Sequence, residues 1–234
     1  MSAATYKDLC IDAVGAVRLG RFWAEVLGRD LPASYDGGPL HLSGPTEQHG
    51  VWINPVAEPV TVKQRVHLDV HAARVGDVLA AGATPLDLDT FPWQVLRDPE
   101  GGELCVFERE PVPDERLYEI GIDSADPERI ATWWADLLGS TVVPGGDGAS
   151  GDRWWSVPVP GAPFESLVFV AVPEPKAVKN RIHWDVDTPD VGLLVGDGAR
   201  VLREPDDDIS WTVLADPEGN EFCAFPEHVV SPGG

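Results

Sequence analysis

Short runs in which apolar and polar residues alternate fill most of the chain, and they predict strands with one dry face and one wet face. In Tyr6 to Val14, Leu9 and Ile11 point one way while Asp8, Cys10 and Asp12 point the other. In Arg65 to His71, Val66, Leu68 and Val70 share the dry face, and His67, Asp69 and His71 share the wet one. Leu40 to Leu42, Gly50 to Pro55, Thr90 to Leu96 and Glu103 to Glu108 read as further strands, bounded by Gly, Pro and Asn. The period changes to helical over Val17 to Leu27, where Val17, Phe22 and Val26 form a stripe that Gly28 closes. A second helix is predicted from Ala73 to Ala81, ending at Gly82.

The whole pattern then repeats. Leu96-Arg97-Asp98-Pro99-Glu100-Gly101-Gly102-Glu103-Leu104-Cys105 returns as Leu214-Ala215-Asp216-Pro217-Glu218-Gly219-Asn220-Glu221-Phe222-Cys223. In each copy Asp-Pro opens a tight turn, because proline presets φ, and the following glycine accepts a positive φ. Phe22-Trp23-Ala24-Glu25-Val26-Leu27-Gly28 is matched by Trp133-Trp134-Ala135-Asp136-Leu137-Leu138-Gly139, and Arg65 to Val70 by Arg181 to Val186. Trp134 follows Trp23 by 111 residues and Asp216 follows Asp98 by 118, so small insertions accumulate, consistent with the glycine-rich tract from Gly145 to Gly151. That tract carries no Lys-Ser/Thr and is not a phosphate loop. Two tandem domains follow, 1–110 and 117–234, joined by a Pro-rich, charged linker at 111–116. Each half has more half-polar strands than its two helices can cover, so a curled sheet leaves its polar face lining a cleft.

Composition narrows the possible partners. A net charge of −22 in 234 residues excludes nucleic acid and anionic membrane surfaces. No apolar run is long enough to span a bilayer, and the N-terminal Met-Ser-Ala-Ala-Thr-Tyr-Lys does not read as a signal peptide. Three cysteines without a close pair give no disulfide framework, so a cytoplasmic monomer or homodimer is the expectation.

The order βαβββ–βαβββ, the Phe-Trp helix ends, the Arg-Val-His-Leu-Asp-Val and Arg-Ile-His-Trp-Asp-Val strands and the Asp-Pro-Glu-Gly turns resemble the vicinal oxygen chelate superfamily. That superfamily includes glyoxalase I, extradiol dioxygenases and bleomycin-resistance proteins. The resemblance implies an α+β fold of two tandem domains, each with paired βαβββ units curled round a cleft. It also implies metal-ligand slots in the metal-using members. Here the first slot holds Asp8 in one half and Glu119 in the other; the second, Asn54 and Val170; the third, His67 and His183. The last slot holds Cys105 and Cys223 where metal-using relatives have Glu, and thiols do not suit a hard octahedral cation. No metal is therefore expected to be obligatory. The alternative is Zn²⁺ on Asp8, His67 and Cys105 or on Glu119, His183 and Cys223.

The bland readings stand alongside. His67 and His183 serve as wall histidines bonded to a carboxylate, and Cys105 and Cys223 as small buried residues. Glu103 and Glu221 pair across the sheet with Arg65 or Arg181; the functional alternative makes them, with His67 and His183, the candidate catalytic groups. Trp23, Trp133 and Trp134 belong to the core. Trp52, Trp93, Trp155 and Trp211, with Asp8, Asn54, His67, Glu119 and His183, are the expected ligand-binding set. The expected function is binding of an aromatic or cationic small molecule in a Trp-lined cleft, as in bleomycin-resistance proteins. A lyase or isomerase of secondary metabolism, metal-independent or zinc-dependent, is the alternative.

Overall fold

The computed structural model describes residues 2–146 and 153–226, so residues 147–151 of the glycine-rich tract lie outside the described residues. In the first half the order is β1 (Thr5–Ala13), α1 (Ala16–Leu27), β2 (Leu40–Leu42), β3 (Val51–Pro55), β4 (Val66–Ala72), α2 (Val75–Ala81), β5 (Thr84–Asp87), β6 (Gln94–Arg97) and β7 (Glu103–Glu108). The second half repeats it as β8 (Leu117–Ser124), α3 (Pro127–Leu138), β9 (Val143–Gly145), β10 (Trp154–Pro158), β11 (Ser166–Ala171), β12 (Ile182–Thr188), α4 (Val191–Gly196), β13 (Arg200–Arg203), β14 (Thr212–Ala215) and β15 (Glu221–Pro226). β5 and its counterpart β13 were not legible in the sequence: Thr84–Asp87 carries a proline and no buried residue, as an exposed edge strand does. None of the described helices is long and apolar enough to cross a membrane.

The sheets do not follow the halves. One sheet has the order β13-β14-β15-β12-β1-β3-β2 and the other β5-β6-β7-β4-β8-β11-β10-β9. Each therefore joins the first unit of one repeat to the second unit of the other. The seams are two antiparallel pairings, β1 with β12 (Leu9 opposite Trp184, Cys10 opposite His183) and β4 with β8 (His67 opposite Gly121, Asp69 opposite Glu119). Each seam contains one bulge: Lys7 is the extra residue between Tyr6 and Asp8, and Tyr118 the extra residue between Leu117 and Glu119.

Helices cover the dry faces. α1 and α3 end on Gly28 and Gly139 at φ 65° and 64°, the left-handed conformation that glycine adopts without strain. Trp23 and Trp134 are fully buried, and the Trp134 ring meets Trp184 and Phe222 at 4.9 and 5.1 Å between centroids. Trp133 is half-buried against the same core and donates from Nε1 to the Asp197 carbonyl at 2.7 Å.

The duplicated turn is a clamp between the sheets. Glu100 accepts from the amides of Val14 and Gly15 at 2.9 and 2.6 Å, covering the N-terminus of α1, which has no side-chain cap of its own. Glu218 does the same for the segment before α3, accepting from the Ser124 hydroxyl (2.9 Å) and from the amides of Ala125 and Asp126 (3.2 and 2.8 Å). Each glutamate reaches from one sheet to the strand end of the other, and Arg181 adds an ion pair to Glu100 at 3.3 Å. Glu218→Ala is expected to cost about 1 kcal/mol in urea denaturation, because two of its three donors, the Ala125 and Asp126 amides, are exposed and find water instead, with Glu218→Gln recovering part of it.

Candidate functional site

Strand exchange determines which predicted site residues meet. Asp8 does not join His67 and Cys105, and Glu119 does not join His183 and Cys223. Asp8 lies on β1 in the sheet of His183 and Cys223, and Glu119 lies on β8 in the sheet of His67 and Cys105. The correction has a simple cause. Residue parity gives the face of a strand, whereas the identity of its neighbour is decided by pairing, which parity leaves open.

The wet face of the seven-stranded sheet gathers Asp8, Cys10, His183, Asp185 and Cys223, with relative exposures of 4, 5, 8, 4 and 7% although no apolar core covers them. Burial of polar side chains on a solvent-side face requires that face to be concave. Cys10 Sγ lies 3.5 Å from Asp185 Oδ2, Cys223 Sγ 3.6 Å from His183 Nε2, and His183 Nε2 3.6 Å from Asp185 Oδ1. Trp52 donates to Asp8 Oδ2 at 3.3 Å, and its ring lies 4.4 Å from that of His41. The bulge turns Lys7 onto the same face, where Nζ reaches Asp8 at 2.5 Å and sits 4.5 Å over the Phe225 ring. Phe225 in turn stacks on Trp211 at 5.2 Å. Asn54 lies further along, beside Asp12.

The eight-stranded sheet builds the second cleft from equivalent positions. His67 Nε2 lies 3.3 Å from Asp69 Oδ1, and the donor atoms of His67, Asp69 and Cys105 fall within 4.8 Å of one another. Ser166 donates to Glu119 Oε1 at 2.6 Å. Phe91, Trp93 and Phe107 form a stack at 5.2 and 5.4 Å, extended by Tyr118 (5.1 Å from Phe107) and His71 (4.5 Å from Tyr118). Arg109 stands 5.7 and 5.9 Å over Phe107 and Tyr118.

Register shows where the two clefts differ. Gly121 replaces Cys10, Val168 replaces Trp52, Ser156 replaces His41 and Tyr118 replaces Lys7. A Cβ on Gly121 would come within 2.4 Å of the His67 ring, so glycine is what lets that imidazole lie flat on β8. The second cleft thus carries smaller side chains at these positions, the His67 ring takes the space over Gly121, and the His67 side chain is 20% exposed against 10% for His183.

Several other expectations change. Trp155 does not face the cleft. It lies opposite Phe169 and packs on the core, and its neighbour Trp154, 39% exposed, shares the face of Ser156 and Val168. Glu221 is held by Lys176 at 2.7 Å and by the Asn180 amide, not by Arg181, which pairs with Glu100. Arg65 donates to the carbonyls of Glu174 and Asp123 rather than to Glu103. Glu103 sits in register beside His67, at the rim of the second cleft. Val170, in the second-slot position, is 39% exposed. Lys7 and Tyr118 were missed because a bulge breaks parity; Phe107 and Phe225 share parity with the cysteines two residues earlier and were readable. A separate cavity of about 960 Å³ between residues 56–65 and 174–181 contains none of the predicted site residues, and its Lys63 and Lys179 already pair with Asp123 and Asp12.

Equivalent histidines are tuned in opposite directions. Burial, with Lys179 adding to it, pulls His183 down to about 4. Burial first, and then the adjacent Asp8 carboxylate, hold the Asp185 carboxyl well above the usual carboxylate range. Burial also opposes the charged form of His67, but Asp69 and Cys105 outweigh it and hold the imidazole well above the ordinary histidine value. Burial pushes Glu119 up to about 7, with the Ser166 hydroxyl opposing and Asp69 and Glu165 adding to the rise. The thiols of Cys105 and Cys223 are raised chiefly by burial, so neither is a ready nucleophile. In metal-free protein, imidazole ¹⁵N spectra are expected to show His183 neutral down to about pH 4 while His67 stays protonated above pH 6.5. Matching titrations for the two would contradict the asymmetry.

Set against known proteins, two segments of the chain, residues 8–107 and 119–225, match the model of the glyoxalase-like domain. Glyoxalase I from Zea mays is similar in structure with a TM-score of 0.67 at 14% identity, over 95% of this chain and 92% of that one. A putative dioxygenase from Bacillus subtilis gives 0.64 at 15% identity, over 100% and 87%. The cppA protein from Streptococcus pneumoniae gives 0.52 at 10% identity, over 95% and 99%. Among curated proteins no sequence matches.

Proposed function

The chain belongs to the glyoxalase-like domain family, and on that premise we propose that it binds a small aromatic cation in the cleft of the eight-stranded sheet. The observation that carries this reading is the set of replacements between otherwise equivalent clefts. Cys10, Trp52 and His41 line one; in the other Gly121 gives its space to the His67 ring, and Val168 and Ser156 are smaller than the indole and imidazole they replace. The lysine that neutralises Asp8 has no counterpart, since Tyr118 takes its place, and Glu119 and Asp69 face each other across β8 and β4. Trp93, Phe107 and Tyr118 supply flat apolar faces that attract positive charge, as Arg109 over two of them illustrates. The binding itself needs no metal.

Calorimetry and tryptophan quenching with phenyltrimethylammonium, set against its neutral isostere tert-butylbenzene, test the reading. The cation is expected to bind more tightly. Trp93→Ala is expected to weaken it by about tenfold, equivalent to about 1.4 kcal/mol. Val168→Trp, which restores the bulk found in the other cleft, is expected to abolish it. Equal affinity for both probes, or binding untouched by Val168→Trp, would overturn the reading.

The pH dependence has a defined sign. Glu119 keeps its proton below about pH 7 and becomes a carboxylate above it, so cation affinity rises from pH 6 to pH 8. Folded Glu119 holds its proton more tightly than the unfolded residue does, so this group lowers stability as pH rises from its unfolded value of 4.5 through about 7. Glu119→Gln is expected to flatten both profiles.

A second reading, proton transfer on the bound molecule, rests on the same Glu119, whose value of about 7 suits a general acid or base at neutral pH. It predicts turnover that Glu119→Gln eliminates without a matching loss of binding.

A further inference from the structure

We propose that the cavity between residues 56–65 and 174–181, outside both clefts, binds an amphiphilic carboxylate, an apolar chain whose single anionic head rests on Arg65.

The cavity is built from a repeated segment that neither cleft uses. Glu58-Pro59-Val60-Thr61-Val62-Lys63-Gln64-Arg65 returns as Glu174-Pro175-Lys176-Ala177-Val178-Lys179-Asn180-Arg181. Each copy runs directly into a seam strand, β4 or β12. The arginines cross to the opposite copy: Arg65 Nη1 donates to the Glu174 carbonyl at 2.7 Å, and Arg181 Nη1 donates to the Glu58 carbonyl. The lysines cross as well, Lys63 to Asp123 and Lys179 to Asp12. Between them the two copies enclose about 960 Å³.

The symmetry ends at the charges. Lys63, Lys179 and Arg181 each meet a carboxylate, Arg181 through Glu100 at 3.3 Å. Arg65 meets none among the described residues. Its Nη1 and Nη2 go to the carbonyls of Glu174 and Asp123 at 2.7 and 2.8 Å, and its Nε is buried without an acceptor. The cause lies in the duplicated turn. Glu100 reaches Arg181, whereas its counterpart Glu218 turns to Ser124, Ala125 and Asp126. Glu58 and Glu174 are exposed and enter these contacts through their backbone carbonyls. A guanidinium keeps its charge throughout the physiological range, so Arg65 brings the cavity a positive charge that has no internal counter-ion.

Much of the remaining wall is apolar: Val56, Pro59, Val60, Val62, Pro175 and Val178. Val60 stands where the second copy has Lys176, which is engaged with Glu221 at 2.7 Å. Val62 and Val178 are 48 and 47% exposed, so a hydrocarbon chain laid over them removes apolar surface from water. The planar donor fork of an unpaired guanidinium matches a carboxylate, and the valines match the chain attached to it. A neutral molecule of the same shape forfeits the charged contact.

Calorimetry on the full chain, with octanoate set against octan-1-ol, tests the proposal. One octanoate is expected to bind per chain, about tenfold more tightly than the alcohol. Arg65→Gln is expected to weaken octanoate by about tenfold, and Arg65→Lys, which keeps the charge, to recover part of the loss. Val62→Trp, at an exposed position, fills the cavity and is expected to abolish binding. Val168→Trp, which blocks the cleft of the eight-stranded sheet, is expected to leave octanoate affinity unchanged, so the two sites stand or fall separately. No octanoate binding by the wild-type chain would overturn the proposal, as would equal affinity for acid and alcohol. So would affinity untouched by both Arg65→Gln and Val62→Trp, or lost in Val168→Trp. The comparison of acid with alcohol needs no variant, so a misfolded one does not leave the question open.

Discussion

Two antiparallel pairings hold this structure in its functional form: β1 with β12 and β4 with β8. Each seam joins strands from different repeats, and each cleft is centred on a seam. Without them every repeat would present an unpaired strand edge, and no side chain of one half would meet a donor from the other. Leu9 opposite Trp184 and Leu68 opposite Ile120 bury the dry sides of the seams, and the same register brings Cys10 opposite His183 and Asp69 opposite Glu119 on the wet sides. The duplicated turns reinforce the arrangement. Glu100 and Glu218 each leave one sheet and satisfy amides at a helix start that follows a seam strand of the other. A change in one repeat is therefore felt in both clefts.

Duplication supplied two copies of one cavity, and a few side chains have made them different objects. Backbone register is preserved between them, so the comparison is between residues at the same place in the same frame. In the seven-stranded sheet the space is occupied by a thiol, an indole and an imidazole, and the lysine is internal. In the eight-stranded sheet glycine, valine and serine take the equivalent positions, a tyrosine stands where the lysine does, and the charge beside Asp69 comes from His67. Packed side chains fill the first cleft, whereas aromatic walls with smaller neighbours suit an organic molecule.

Much of the fold was legible because it rests on local signals. Period-two alternation in Arg65 to His71, the glycine caps at Gly28 and Gly139, and the repeated Asp-Pro-Glu-Gly turn are all consequences of short-range sterics. The wet and dry faces were legible for the same reason. What the chain does not write locally is which strand lies beside which: Asp8 fits equally well, by parity, beside His67 or His183, and long-range pairing chose the latter. Bulges are the second blind spot. Lys7 and Tyr118 have the parity of core residues and become cleft residues only because one residue in each seam goes unpaired. Trp155 failed differently: Trp154 and Trp155 are adjacent, and the parity assigned to the pair was the reverse of the one that pairing with β11 imposes.

The acidic character of the chain takes on a specific meaning inside the clefts. Each seam sets two carboxylic residues together, Asp8 with Asp185 and Glu119 with Asp69, and two neighbouring buried carboxylates do not both keep their charge unless something positive joins them. In the seven-stranded sheet Lys7 pairs with Asp8, burial and Asp8 raise the Asp185 carboxyl, and burial with Lys179 lowers His183. The eight-stranded sheet answers with the imidazole itself, His67 turning to Asp69, and Glu119 is left holding a proton near neutrality. A proton is the weakest of these solutions, because a cation of the right shape replaces it with more contacts. Glu119, raised to about 7 by burial, is where a positively charged partner of the eight-stranded cleft gains most.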